Sequence, residues 1–390
     1  MWLKLILAAL SLTEPAQLLE RVRQVPVPAD LAVQSMPREA LLPLLEEALD
    51  DAYGARFDDY VALYRALRLL PAEGNAREAL LSLYQGQVAA FYNPKDHTMK
   101  VVEGFDPESP IMRTLLVHEL THALQDRRLP LYERMMSRAG DRDAALALQS
   151  LLEGEAVLVM TLAAGDLDRL PKEERDRRLD QALAAYGGDL ASLMPDAPPF
   201  FVHDLLIPYQ AGLRFVAQAY KQGGWEAVDA LYKPLPCCME QVLHPGTGAQ
   251  CPTLRSVGKT LVMPGLDLKV ADTLGETGFK YLLGTRLPAG EAAEAACGWD
   301  GDDALLYRGT RGDAVAWLTR WDTVRDRKEA QAALRAWAGA EGVPLASWDR
   351  GRSALFLIPG PGAPAPPAPN KPKTILKRTE ESDEHACEQP

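Results

Sequence analysis

Apolar positions recur with helical spacing through residues 38–49, 57–70 and 76–84, and Gly and Pro separate the three runs. That pattern predicts three amphipathic helices whose role is packing. Residues 87–92 then read as a strand, Asn93-Pro94-Lys95-Asp96 as a turn and residues 98–102 as a second strand. A hairpin is therefore expected there. Ser109-Pro110 offers a capping hydroxyl followed by proline at the first helical position. The helix it starts carries Ile111, Leu115, Leu116, Leu120 and Leu124, enough apolar surface for a buried central helix. A second apolar helical run covers residues 144–162, and residues 171–180 read as a charged, solvated connection. A long helix follows over residues 200–220, ended by Gly223-Gly224, with a further helix to Tyr232.

The last third changes character. Helices are expected over 272–283, 291–296 and 327–340, and strands over 304–308, 314–321 and 353–358. Gly298-Trp299-Asp300-Gly301-Asp302 reads as a tight acidic turn, too short for a recognisable calcium cage. Beyond Pro359 the chain is rich in Pro and Ala and then charged, which predicts a disordered tail. Four regions result: residues 1–20, residues 21–262 as the main domain, residues 263–358 as a small α+β part, and residues 359–390 as the tail.

Composition narrows the class. With 47% hydrophobic and 25% charged residues the chain is an ordinary soluble globular protein. A net charge of −12 without any Lys/Arg block argues against a nucleic-acid partner. Residues 1–20 read in two ways. They are either a short export leader, with one lysine, an apolar core and an exit near Ala16, or the first helix, Leu5 to Val22. The apolar core is too short to span a membrane. Five cysteines are present. Cys237, Cys238 and Cys251 cluster, which suits one loop-closing disulfide in an oxidising compartment or, with His244, a second metal site; Cys297 and Cys387 look isolated.

The chemistry concentrates in the central helix. His118-Glu119-Leu120-Thr121-His122 places two histidines four residues apart, so both project from one helix face. Two imidazoles there can ligate one Zn²⁺, and Glu119 can deprotonate a water. A working site needs a third protein ligand and an open fourth position. Gln125 and Arg128 stand where metzincins carry Gly and His, which excludes that class. The apolar run over 144–162 contains Glu153-Gly154-Glu155. Two acids in so apolar a segment are unusual, and Gly154 allows another helix to come close. Glu153 and Glu155 lie about 200° apart around a helix, so at most one of them faces the metal.

This combination resembles the gluzincin-type metallopeptidases. It is similar in particular to a group of bacterial proteins with H-E-L-T-H-A-L-Q-D followed by E-G-[DE]-A. The likeness extends more loosely from Gln24 to Trp337, and relatives commonly begin with an export leader. It implies that the first acid of the second motif, Glu153, is the third ligand. It also implies an α+β, predominantly helical zincin-like fold, with a small hairpin before the site helix whose edge pairs with a peptide. Thermolysin-like enzymes have an acid four residues after the ligand glutamate; here that position is Val157. Asp126 either replaces it by holding a ligand imidazole or is a solvated helix end. Tyr209 and His244 are candidates for stabilising the oxyanion. His97, beside the turn, reads as a surface residue.

The expectation is a zinc metallopeptidase acting on a peptide or protein substrate outside the cytoplasm. The other class is a scaffold of the same fold that binds a peptide without cleaving it.

Overall fold

The computed structural model describes residues 2–28, 30–104, 109–186, 192, 194–251, 254 and 260–381, and side chains from Leu12 to Thr379 within them, Gln87 excepted. In chain order the elements are α1 (Trp2–Arg23), β1 (Ala32–Met36), α2 (Leu41–Tyr53), α3 (Phe57–Ala66), α4 (Ala76–Gln87), β2 (Ala90–Asn93) and β3 (Thr98–Val102). They continue with α5 (Pro110–Arg128), α6 (Leu131–Met136), α7 (Arg142–Ala164), α8 (Lys172–Ala185), α9 (Pro199–Ala230) and α10 (Met239–Leu243). The remainder comprises β4 (Asp267–Asp272), α11 (Gly275–Gly284), α12 (Ala289–Ala296), β5 (Trp299–Gly309), β6 (Gly312–Trp321), α13 (Val324–Glu341), β7 (Ala346–Arg350), β8 (Ser353–Pro359) and α14 (Pro372–Glu381). The fold is mixed α+β, as expected.

Two compact units share these elements. The first takes Met1–Ala52, Arg77–Ala139 and Leu146–Pro236; the second takes Tyr53–Ala76, Gly140–Ala145 and Cys237–Pro390. The divide expected between residues 262 and 263 is therefore not where the contacts change. Within the second unit, Tyr64 Oη donates to Asp272 at 2.6 Å and Arg308 pairs with Asp59 at 2.7 Å. Such pairings across more than two hundred residues leave no trace in local composition.

In the first unit, β1, β3 and β2 form a three-stranded sheet in that order. The hairpin is present, with Ala90 opposite Val101 and Asn93 opposite Thr98. β1, parallel to β3, has no counterpart in the sequence reading. Ala-Val-Gln-Ser-Met lacks the apolar alternation that announces a strand, and four of its five positions are not fully buried. Alternation across the sheet gives β2 two faces. Ala90 packs with Met112 and Leu116 of α5, whereas Phe91 packs with the α2 side, near Leu41, Leu44 and Leu45.

α5 begins as the sequence predicts: the Ser109 side chain accepts the Met112 N–H at 3.2 Å, and Pro110 occupies the first turn. α7 is long and apolar enough to cross a membrane by length and composition. Here, however, Leu151, Leu152, Ala156, Val157, Leu158, Val159 and Leu162 are buried inside the protein. The stretch read as a solvated connection is instead helix α8. Glu174 pairs with Arg177 and Arg178 one turn on, Lys172 pairs with Asp176, and Leu179 is fully buried. Pairs at that spacing support a helix that has only a small apolar face. α9 contains the expected break, with non-helical backbone at Gly223 and Gly224.

The second unit holds a five-stranded sheet, β4-β5-β6-β8-β7, whose neighbouring strands are antiparallel throughout. The segment read as an acidic turn is the bulged start of β5. Asp302 there is buried and accepts N–H groups from Leu274, Gly275, Trp299 and Trp317 at 2.8–3.1 Å. Those four donors make its carboxyl a structural clamp on the start of α11. Part of the stretch expected to be a disordered tail is instead helix α14. α14 buries Ile375 and Leu376 in the core of the sheet, and residues 382–390, with Cys387, lie outside the described residues.

Candidate metal centre

Helix α5 turns His118, Glu119 and His122 inward; His118 is 6% and Glu119 8% exposed. Burial of such polar groups is costly unless something pairs with them. Glu153 of α7 supplies the partner. Its Oε2 lies 3.0 Å from His118 Nε2 and 3.5 Å from His122 Nε2, and the two imidazole nitrogens are 3.1 Å apart. The ligand atoms of these three residues all fall within 4.8 Å of one another. The structure thus brings together His118, His122 and the glutamate that the resemblance implies, a group that could hold a metal ion.

Electrostatics bind the group. Burial by itself would lower the His122 pKa, but the charge and hydrogen bond of Glu153, helped by Glu119, lift it to about 9. Burial likewise works against ionised Glu153, yet the two imidazoles hold its carboxyl well below the usual carboxylate range. Glu119 behaves differently. Burial raises its pKa, only partly opposed by the histidines and by the Tyr92 N–H, which donates to its Oε2 at 2.9 Å.

The group that pairs with the His122 imidazole is Gln125, not Asp126. Gln125 Oε1 lies 2.8 Å from His122 Nδ1, while its Nε2 donates to the Leu152 carbonyl at 2.9 Å and to Glu155 at 3.2 Å. Asp126 is turned away. It accepts from Tyr92 Oη at 2.6 Å and Leu131 N at 2.8 Å, and it meets exposed His97 Nδ1 at 2.7 Å. A step of three residues from His122 reaches its ring; a step of four falls on the hairpin side.

Glu155, one position beyond the α7 glycine, has a separate task. It is 1% exposed and accepts from Arg23 Nε at 2.7 Å and from Tyr232 Oη. The Arg23 guanidinium also lies over the Trp225 ring, 4.4 Å from its centroid, and pairs with Asp229. Glu155→Ala is expected to cost about 3 kcal/mol, because it leaves a buried guanidinium with half its partners. Urea denaturation checks this; an unchanged midpoint would mean that the network contributes nothing.

The two oxyanion candidates part company. Tyr209 stacks near His118, with ring centroids 6.1 Å apart and planes at 18°. The charge of Glu153, then burial and Glu119, push its hydroxyl pKa well up. His244 belongs to the second unit, where its Nε2 lies 3.1 and 3.0 Å from the two Glu276 oxygens. Two further tyrosines feel Glu153 and were missed in the sequence. Tyr84, although 39% exposed, is pushed up by desolvation of its hydroxyl and by Asp204 and Glu153, and Tyr186 is pushed up to about 12 by burial and Glu153. No local signal marks them: Tyr84 lies in the last turn of α4 and Tyr186 just past the end of α8.

Cys237 and Cys251 form the disulfide that the cluster suggested; Cys238 is free and buried, and Cys297 is free. A family profile described as a domain of unknown function (DUF8575) matches residues 264–356, from just before β4 into β8. The His118–His122–Glu153 cluster lies outside that match. No curated protein and no solved structure matches the chain.

Proposed function

We propose that this protein is a zinc-dependent metallopeptidase of gluzincin type, with a zincin-like arrangement in its first unit. The observation that carries the reading is the convergence of His118, His122 and Glu153 within 4.8 Å, with the Glu119 carboxyl on the same helix face. Two imidazoles and one carboxylate are the donor set of a catalytic zinc site with one position left open. The pairing of Gln125 with Nδ1 of His122 fits this, because it leaves Nε2 for the metal. Bound zinc supplies Lewis acidity towards a scissile carbonyl.

The chain's own groups do the rest. Glu119 accepts the proton of the attacking water and delivers it to the leaving amine. Tyr209, kept protonated beside Glu153, donates to the developing oxyanion. The free side of edge strand β2 receives the substrate as an added strand. Export from the cytoplasm belongs to the same proposal, supported by the Cys237–Cys251 disulfide.

Metal analysis tests the site directly. Wild type is expected to hold one zinc, and the His118→Ala, His122→Ala double variant none. Glu153→Ala should lose zinc, while the folded fraction of Glu155→Ala keeps it. Full occupancy in the double variant, or the reverse behaviour of the two glutamates, would overturn the ligand assignment. A diverse peptide library left uncut by zinc-loaded wild type would favour the peptide-binding scaffold instead.

A further inference from the structure

On the far side of β2 from α5, a cavity of about 300 Å³ opens between α2, the β2–β3 turn and α6. Its walls are chiefly Leu44, Leu45, Phe91, Met135 and Met136, all half-buried rather than covered by the chain. We propose that this cavity is a substrate pocket, taking one bulky apolar side chain of a peptide laid along β2. The inference rests on the peptidase reading above and adds to it a class of preferred substrate.

Three observations carry it. The first is continuity with the candidate site. Tyr92 lines the cavity, and its backbone N–H is bonded to Glu119 Oε2 at 2.9 Å. A strand added to β2 alternates its side chains between the two faces of the sheet. One residue near the scissile bond therefore points towards the α5 face and its neighbour towards the cavity. The second is size. A dry cavity of about 150 Å³ accepts benzene, so the space here suits a phenyl, indole or long aliphatic group. Two flexible methionines in the wall allow some variety of shape.

The third observation is charge at the rim. Lys95 Nζ lies 2.6 Å from both Glu47 Oε1 and Asp51 Oδ2, and Tyr132 Oη donates to Asp51 at 3.0 Å. Two carboxylates against one ammonium leave the rim negative. An anionic amphiphile such as a fatty acid is disfavoured there, whereas a neutral or basic peptide is not.

The test uses the full-length, zinc-loaded Glu119→Gln protein, which binds without turnover, and labelled hexapeptides in which one phenylalanine is moved through an alanine background. Phenylalanine at one position is expected to tighten binding about 10-fold or more, read by fluorescence anisotropy. Ala48→Trp, which fills the cavity from an exposed position of α2, and Met136→Gln should each remove most of that gain while zinc content stays at one. Wild-type cleavage should prefer phenylalanine at the same position. No position-specific gain, or a gain undiminished in both variants, overturns the pocket while leaving the peptidase reading intact if wild type still cleaves. A gain without any wild-type cleavage overturns the peptidase reading, and the substrate role of the pocket with it. Competition by decanoate at micromolar concentration would assign the cavity to an acyl chain and overturn the proposal.

Discussion

Glu119→Gln is expected to keep its fold and its zinc while losing about 10²- to 10⁴-fold in peptide hydrolysis. The structure makes this substitution unusually clean. One Glu119 oxygen accepts the Tyr92 N–H at 2.9 Å, and a glutamine carbonyl can take that bond over. The hairpin that borders the site therefore keeps its anchor. What disappears is the second oxygen as a proton acceptor. Glu119→Ala is a poorer experiment, since it would leave the Tyr92 N–H buried without its partner. Peptide cleavage and thermal melting measured on the same zinc-loaded sample separate chemistry from stability. Unchanged turnover in that sample would rule out Glu119 as the base; a large fall in melting temperature would make it a structural residue.

Gly212→Ala is expected to destabilise the first unit and to weaken zinc binding and turnover together. A Cβ at Gly212 would stand 2.0 Å from the Ser150 carbonyl oxygen, and one at Gly154 would stand 2.3 Å from Gly212 C and O. Even close C–H···O contacts keep about 3.3 Å, so α7 and α9 would have to part by more than about 1 Å. Overpacking of this kind costs about 1–3 kcal/mol. The site lies next to the contact. Glu153 precedes one glycine, and Tyr209 is three residues before the other. A shift of about 1 Å in a reacting group can cost about 10²-fold in rate. Zinc titration and melting check the prediction; wild-type values for both in Gly212→Ala would show that the helices have room to spare.

The same pair of helices explains what could be read in advance. His118, Glu119 and His122 are related by helix geometry alone, so their common face follows from spacing and from the Ser109-Pro110 start. The apolar run through residues 144–162 likewise announces α7, and Gly154 announces a close neighbour. Whether Glu153 or Glu155 faces the histidines is a question of how α7 is rotated, and rotation is set by packing. Gly154 pressed on α9 and Arg23 and Tyr232 gripping Glu155 leave Glu153 on the side of the imidazoles. Spacing within α7 contains neither partner; resemblance to other proteins pointed to Glu153 for a reason that only the packing supplies.

Partners distant in the chain decided the remainder. Gln125 rather than Asp126 orients His122, because Gln125 also reaches Leu152 and Glu155 on α7 while Asp126 is drawn to Tyr92 and Leu131. The charge of Glu153 also acts on Tyr84 and Tyr186, which carry no chemical motif, and β1 finds β3 across more than sixty residues. By itself the sequence determined the helices with strong periodicity, the hairpin and the two-histidine face, all set by interactions within a few residues. Tertiary structure alone decided the rotation of α7, the support behind His122 and the membership of the two units. These depend on burial and pairing between distant segments, and no local pattern encodes which segments will meet.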